Sequence, residues 1–89
     1  LVRGRREVTG WREENGALVL DKRFTGYTDG LQWAIAVGHL ADELNHHPTI
    51  SVGYRTVRVT TTTHDEGNTV TDRDRELAAA IDALVLDEE

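Results

Sequence analysis

Seven of the eight residues in Thr56-Val57-Arg58-Val59-Thr60-Thr61-Thr62-Thr63 are β-branched. Branching at Cβ restricts χ1 and suits a pleated, half-buried surface better than a helix. A strand of this length needs partners, because a lone pair is marginal in water. Ile50-Ser51-Val52-Gly53-Tyr54, just upstream, reads as one partner. An earlier pair, Gly10-Trp11-Arg12-Glu13 and Ala17 to Phe24, flanks Glu14-Asn15-Gly16. Asn-Gly between such runs is a strong hairpin signal, since both turn positions tolerate positive φ. Alternation along the long run places Val57, Val59 and Thr61 on one face, expected to be buried, with Arg58, Thr60, Thr62 and His64 on the other. His64 then closes the strand, where a bulge or loop can re-aim it.

Two segments have helical period. From a cap at Thr28 or Asp29 to about Leu44, Trp33, Val37, Leu40, Ala41 and Leu44 recur at spacings of three and four, with Leu31, Ile35 and Gly38 along one edge. Asn45 and Pro48 end this helix, and the proline pushes His47 out of the α region. His46 and His47 therefore leave the helix in two directions. After a loop from Asp65 to Thr69, Thr71 reads as an N-cap with Asp74 three residues on, a variant capping box. Asp72 and Asp74 suit the helix dipole, and Leu77, Ala80, Ile81 and Leu84 form an apolar stripe. The order β-β-α-β-β-α implies an antiparallel sheet with helices on one face, an α+β fold.

Eighty-nine residues make a single domain spanning positions 1–89. Ten basic against sixteen acidic residues give a net charge of −6. That argues against nucleic acid or an anionic membrane as the main partner. Arg3, Arg5 and Arg6 read as a solvated terminus. With no cysteine, thiol catalysis, disulfides and thiolate metal sites are excluded. No long apolar run or signal-peptide pattern is present, so a soluble, cytoplasmic protein is expected. The chain begins at Leu1 rather than Met, which leaves room for residues upstream or for a place in a longer protein. Only five aromatics, Trp11, Phe24, Tyr27, Trp33 and Tyr54, support the aliphatic core. Oligomerisation is one way for so small a domain to bury more surface.

The chemistry-bearing residues are histidines, in Asn45-His46-His47-Pro48 and in Thr63-His64-Asp65. Histidine titrates near neutrality and can donate or accept a proton there. Helix-end histidines also interact with the C-terminal dipole, a structural reading of His46 and His47 taken alone. A metal site using the three histidines with Asp42 or Asp65 is a second rival, although adjacent histidines lack the usual His-x-x-x-His helical spacing. Ser51, the only serine, has no glycine elbow around it, so a serine hydrolase is disfavoured. His39, mid-helix among polar neighbours, is assigned to a solvated surface. Acid–base chemistry by imidazole remains: eliminating water from a carbinolamine-type carbon needs a proton delivered to the hydroxyl and another removed from the adjacent nitrogen. Asp42, Asp65 or Asp74 could orient a ring.

Asp42, three residues, His46-His47-Pro48, five residues, Tyr54, nine residues, His64, and then Asp74 in the segment from Thr71 resemble the pterin-4a-carbinolamine dehydratase family. Weaker similarity runs from Gly10-Trp11 through Phe24, Tyr27 and Trp33 to Leu77-Ala78 and Ile81-Asp82. The resemblance implies a four-stranded antiparallel sheet with helices on one side, assembled as a homodimer or homotetramer. It also implies that the family's N-terminal helix is truncated or absent here. The implied activity is dehydration of 4a-hydroxytetrahydropterin to quinonoid dihydropterin, with no cofactor and no metal. Carried over by position, His46 and His64 match the proton-transfer pair and His47 a supporting, pterin-binding residue. Asp42, Asn45, Thr62, Thr63, Asp65 and Asp74 match substrate-binding positions. The chain departs from the family at Ile50, where many members carry tryptophan, at Thr28 to Gly30, and in the loop Glu66 to Val70. Related domains also serve as transcription-factor dimerisation partners or as assembly factors for a carbon-fixing enzyme. A non-catalytic dimeric module of this kind is the alternative reading.

Overall fold

The computed structural model describes residues 10–84. Its elements run β1 (Trp11–Glu14), β2 (Ala17–Arg23), α1 (Tyr27–Leu44), β3 (Thr49–Val52), β4 (Thr56–Thr61), a short 3-10 turn (His64–Glu66) and α2 (Asp72–Asp82). All strand pairs are antiparallel, in the order β1-β2-β4-β3. The sequence-derived order and α+β class are those of the structure. The expected truncated helix and the Arg3, Arg5 and Arg6 cluster lie outside the described residues.

Register explains how one face becomes the core. Trp11 pairs with Leu20, Leu20 with Val59, and Val59 with Ile50, so one row crosses all four strands. Trp33 and Val37 of α1 and Leu77, Ala78 and Ile81 of α2 pack with Trp11, Leu20, Val57 and Val59 in a single cluster. Both helices therefore cover the same sheet face. The long run divides by alternation as expected, with Val57, Val59 and Thr61 fully buried. On the open face, Arg58 donates to Asp21 at 2.7 and 2.9 Å, and Arg12 donates to the same carboxylate at 3.1 Å. These cross-strand pairs hold the Asp21 carboxyl at about 2.

Three boundaries differ from the sequence reading. The first helix is capped by Gly26, in an extended conformation with φ −149° and no side-chain cap bond, rather than by Thr28 or Asp29. Asp29 instead lies in the first turn, where its charge suits the dipole. The strand expected from Ile50 to Tyr54 ends at Val52, and Tyr54 is 70% exposed. The long strand stops at Thr61, although Thr63 adds an isolated bridge to Thr69. None of the helices is long and apolar enough to cross a membrane, among the described residues.

Candidate active site

One backbone turn, at Asn45, leads from α1 into the two adjacent histidines. Asn45 closes α1 in the left-handed region, φ 54° and ψ 43°. Its N–H donates to the Asp42 carbonyl at 3.3 Å, and the His46 N–H donates to the Ala41 carbonyl at 3.1 Å. Asparagine tolerates this conformation better than other non-glycine residues. Beyond the turn, His46 is buried beneath α2, while His47 stays exposed beside Asp42, Nε2 to Oδ1 2.9 Å. Asn45→Gly is expected to preserve stability, whereas Asn45→Val should lose about 1–2 kcal/mol, the cost of a branched side chain at positive φ. Urea denaturation of the two variants checks this, and equal midpoints would contradict it.

Asp74 is the hub of the site. Its side chain has no exposure, and four donors converge on it. His46 Nε2 and Thr61 Oγ1 reach Oδ1 at 2.6 and 2.7 Å. Thr63 Oγ1 and the Thr71 N–H reach Oδ2 at 2.7 and 2.9 Å. The expected capping box is thus present, but it is one part of a larger network. Burial alone would push the Asp74 carboxyl up. The bonds from His46, Thr61, Thr71 and Thr63 outweigh it and lower the group to about 2. An ionised carboxylate only accepts, so His46 Nε2 carries the proton of this pair. Neutral His46 therefore presents Nδ1 as its basic atom.

His64 is held differently. After the Thr63–Thr69 bridge the chain winds through the 3-10 turn and passes Gly67 and Asn68, both at positive φ. His64 Nδ1 is 2.8 Å from Asn68 Oδ1. The amide oxygen accepts, so Nδ1 donates and Nε2 is left as the basic nitrogen. The β1–β2 hairpin supports this loop: Thr62 Oγ1 donates to the Gly16 carbonyl at 2.7 Å. Gly16 has φ 79°, and a Cβ there would collide with the Asn68 carbonyl. Gly16→Ala should therefore cost more than the roughly 1–2 kcal/mol of left-handed strain alone. Thermal denaturation tests this, with faster amide exchange expected at Gly67 and Asn68; a wild-type Tm would refute it.

The expected residues are thus distributed unequally. His46, Thr63 and Asp74 share one buried network, which also adjoins His64 through the chain at Thr63. His47 and Asp42 form an exposed pair, and no hydrogen bond joins two of the three rings. Asp65 faces Arg73 at 3.5 Å. Asn45 is exposed, and the Thr62 hydroxyl is engaged by the hairpin. Two members of the network, Thr61 and Thr71, were not among the site residues expected from sequence. Alternation did place Thr61 on the buried face, and a buried hydroxyl needs a partner, so that signal was available. His39 is exposed as expected, yet it lines a groove of about 330 Å³ together with Asp42, His47, Pro48 and Ile50. Among the described residues, no three His, Cys, Asp or Glu side chains are grouped to hold a metal ion.

The arrangement can hold one histidine, His46, as a fixed base or acid, and it sets the free nitrogen of a second, His64, through an amide. Comparison with known proteins follows the same lines. The family model described as pterin 4 alpha carbinolamine dehydratase matches residues 2–84. A protein of Metallosphaera sedula, provisionally named a pterin-4-alpha-carbinolamine dehydratase, is 45% identical over 77 residues, 86% of this chain and 79% of its own length. A similarly named protein of Natronomonas pharaonis is 39% identical over 83% of this chain and 79% of its own length. Among solved structures, a transcriptional coactivator/pterin dehydratase from Brucella melitensis aligns with a TM-score of 0.77 at 28% identity, over 84% of this chain and 81% of that one. A pterin dehydratase-like protein identified as a RuBisCO assembly factor in the alpha-carboxysome aligns with a TM-score of 0.68 at 27% identity, over 83% and 87%.

Proposed function

The chain belongs to the pterin 4 alpha carbinolamine dehydratase family, and from that premise we propose that it eliminates water from 4a-hydroxytetrahydropterin to give quinonoid dihydropterin. The observation that carries this reading is the His46–Asp74 pair at 2.6 Å. A buried carboxylate held ionised fixes the ring's tautomer, and a scaffold has no need of a fixed tautomer. In the reaction, the hydroxyl on C4a leaves as water after taking a proton, the proton on N5 is removed, and the C4a–N5 double bond forms. His46 Nδ1 and His64 Nε2 serve as the two proton-transfer atoms, one protonated and one neutral at the start of each cycle. His47, with Asp42 behind it, binds the pterin, and Asn45, Thr62, Thr63 and Asp65 line the site through backbone and side-chain groups. Asp74 acts through His46 as a positioning residue. The active form is a homodimer or homotetramer in the cytoplasm. Exposed Ile35, Val52 and Tyr54 beside the edge strand β3 support such an assembly.

The likeness to the carboxysome assembly factor supports a second reading, a non-catalytic dimeric module that binds a protein partner. One experiment separates the two. A 4a-hydroxytetrahydropterin generated in situ is mixed with the protein, and the absorbance of the quinonoid product is followed. Faster dehydration, proportional to protein concentration, is expected. An unchanged rate at stoichiometric protein would leave only the assembly reading.

A further inference from the structure

Thr61 occupies a core position yet carries a hydroxyl. It ends β4 on the buried row that begins with Val57 and Val59, pairs with Leu18 across the ladder, and is fully buried. Valine has nearly the same shape, suits a strand as well and leaves no polar group to satisfy, so the fold alone does not ask for threonine there. Among the described residues the Thr61 hydroxyl has one side-chain partner, Asp74 Oδ1 at 2.7 Å. That oxygen also receives His46 Nε2 at 2.6 Å.

The second carboxylate oxygen is held without help from the histidine, and its hydroxyl directions have one solution. The Thr63 hydroxyl lies 2.7 Å from Oδ2 and 2.6 Å from Thr71 Oγ1. An ionised carboxylate only accepts, so the single Thr63 proton goes to Oδ2 and the Thr71 hydroxyl donates to Thr63. Thr71 Oγ1 in turn accepts from the Arg73 N–H at 3.3 Å, and the Thr71 N–H reaches Oδ2 at 2.9 Å. Oδ2 is thus anchored to the start of α2 and to Thr63. On Oδ1, Thr61 is the one donor besides His46 among the described residues. Without it, Oδ1 would be held only by the ring that it has to hold.

We propose that Thr61 is a positioning residue for the reaction: its hydroxyl pins Asp74 Oδ1 beneath the His46 ring and so aims His46 Nδ1 at the substrate. With both oxygens anchored, turning the carboxylate about its Cβ–Cγ bond breaks every bond to it at once, and burial leaves no water to replace them. The ring inherits a fixed plane and a fixed tautomer. The inference rests on the reading that His46 transfers a proton in the dehydration, and deepens it by naming what holds that ring.

Thr61→Val removes the hydroxyl alone. Valine suits a buried strand, so the variant should fold, which circular dichroism verifies; a variant that does not fold would assign the hydroxyl to the fold and overturn the proposal. In the dehydration of 4a-hydroxytetrahydropterin, kcat should fall by about tenfold with KM unchanged, as for an interaction realised at the transition state. Thr61→Ser restores the donor and should return kcat to within about threefold of wild type. Side-chain nitrogen NMR in alkaline buffer gives a readout independent of turnover. Wild-type His46 should carry its proton on Nε2 alone, exchanging slowly with water. A second tautomer or fast exchange should appear in Thr61→Val, and the wild-type pattern should return in Thr61→Ser. A wild-type kcat in Thr61→Val, a loss confined to KM, serine no better than valine, unchanged spectra, or a wild-type His46 protonated on Nδ1 would each overturn the proposal. If the spectra change as expected but wild type does not dehydrate the pterin, the dehydratase reading fails alone. If wild type dehydrates it and Thr61→Val is as fast, this proposal fails alone.

Discussion

Asp74→Ala should lower stability by about 3–5 kcal/mol, the range seen when one partner of a buried charged pair is removed. Asp74 has no exposure and accepts from His46, Thr61, Thr63 and the Thr71 N–H. Truncation strands each of those donors in a site without water access, and an unsatisfied buried group costs about 1–3 kcal/mol. It also removes the side-chain half of the α2 capping box. Asp74→Asn should lose less, because one oxygen survives, but its NH₂ then faces a donor. The pH dependence follows from the carboxyl falling from 3.8 to about 2 on folding. The folded state favours the ionised form, so the contribution is complete above pH 3.8 and is lost as pH falls through about 2. Urea midpoints for wild type and Asp74→Asn should therefore converge as the pH is lowered across that window. A loss below about 1 kcal/mol in Asp74→Ala at neutral pH would show that the network does not hold the fold.

The fate of Asp74 also shows where sequence reasoning reached and where it stopped. Local rules were enough to place it: Thr71 followed by an acidic residue three positions on is a cap signature, and the capping box is there. The same rules gave Val57, Val59 and Thr61 a buried face, because alternation in a half-covered sheet has one solution. What no local rule contains is the convergence of β4, the end of α1 and the start of α2. That convergence turns a helix-capping carboxylate into the partner of His46, 28 positions away. The divergence of His46 and His47 was legible from Pro48, whereas the left-handed Asn45 that turns the chain out of α1 ahead of both was not. His64 is re-aimed by the turn after Thr63, as the strand-end reading allowed, yet its partner Asn68 lies in a loop without period. Likewise, composition around His39 indicates exposure correctly and says nothing of the groove that packing makes beside it.

His64→Ala is expected to reduce the dehydration rate constant by about 10²–10⁴-fold, the usual contribution of a positioned acid or base. The His64 side chain is exposed and hydrogen-bonded only to Asn68 among the described residues, so stability should change by no more than about 0.5 kcal/mol. That combination makes it the cleaner of the two histidine tests. His46→Ala should lose a comparable factor in rate, but it also leaves the Asp74 carboxylate buried without its ring partner, and stability falls with it. The double variant should be scarcely slower than either single one, since the two rings act as a unit. Multiplicative losses would mean that the rings work independently. A His64→Ala protein that keeps wild-type turnover would place the proton transfer elsewhere, with His47 and Asp42 the pair to replace next.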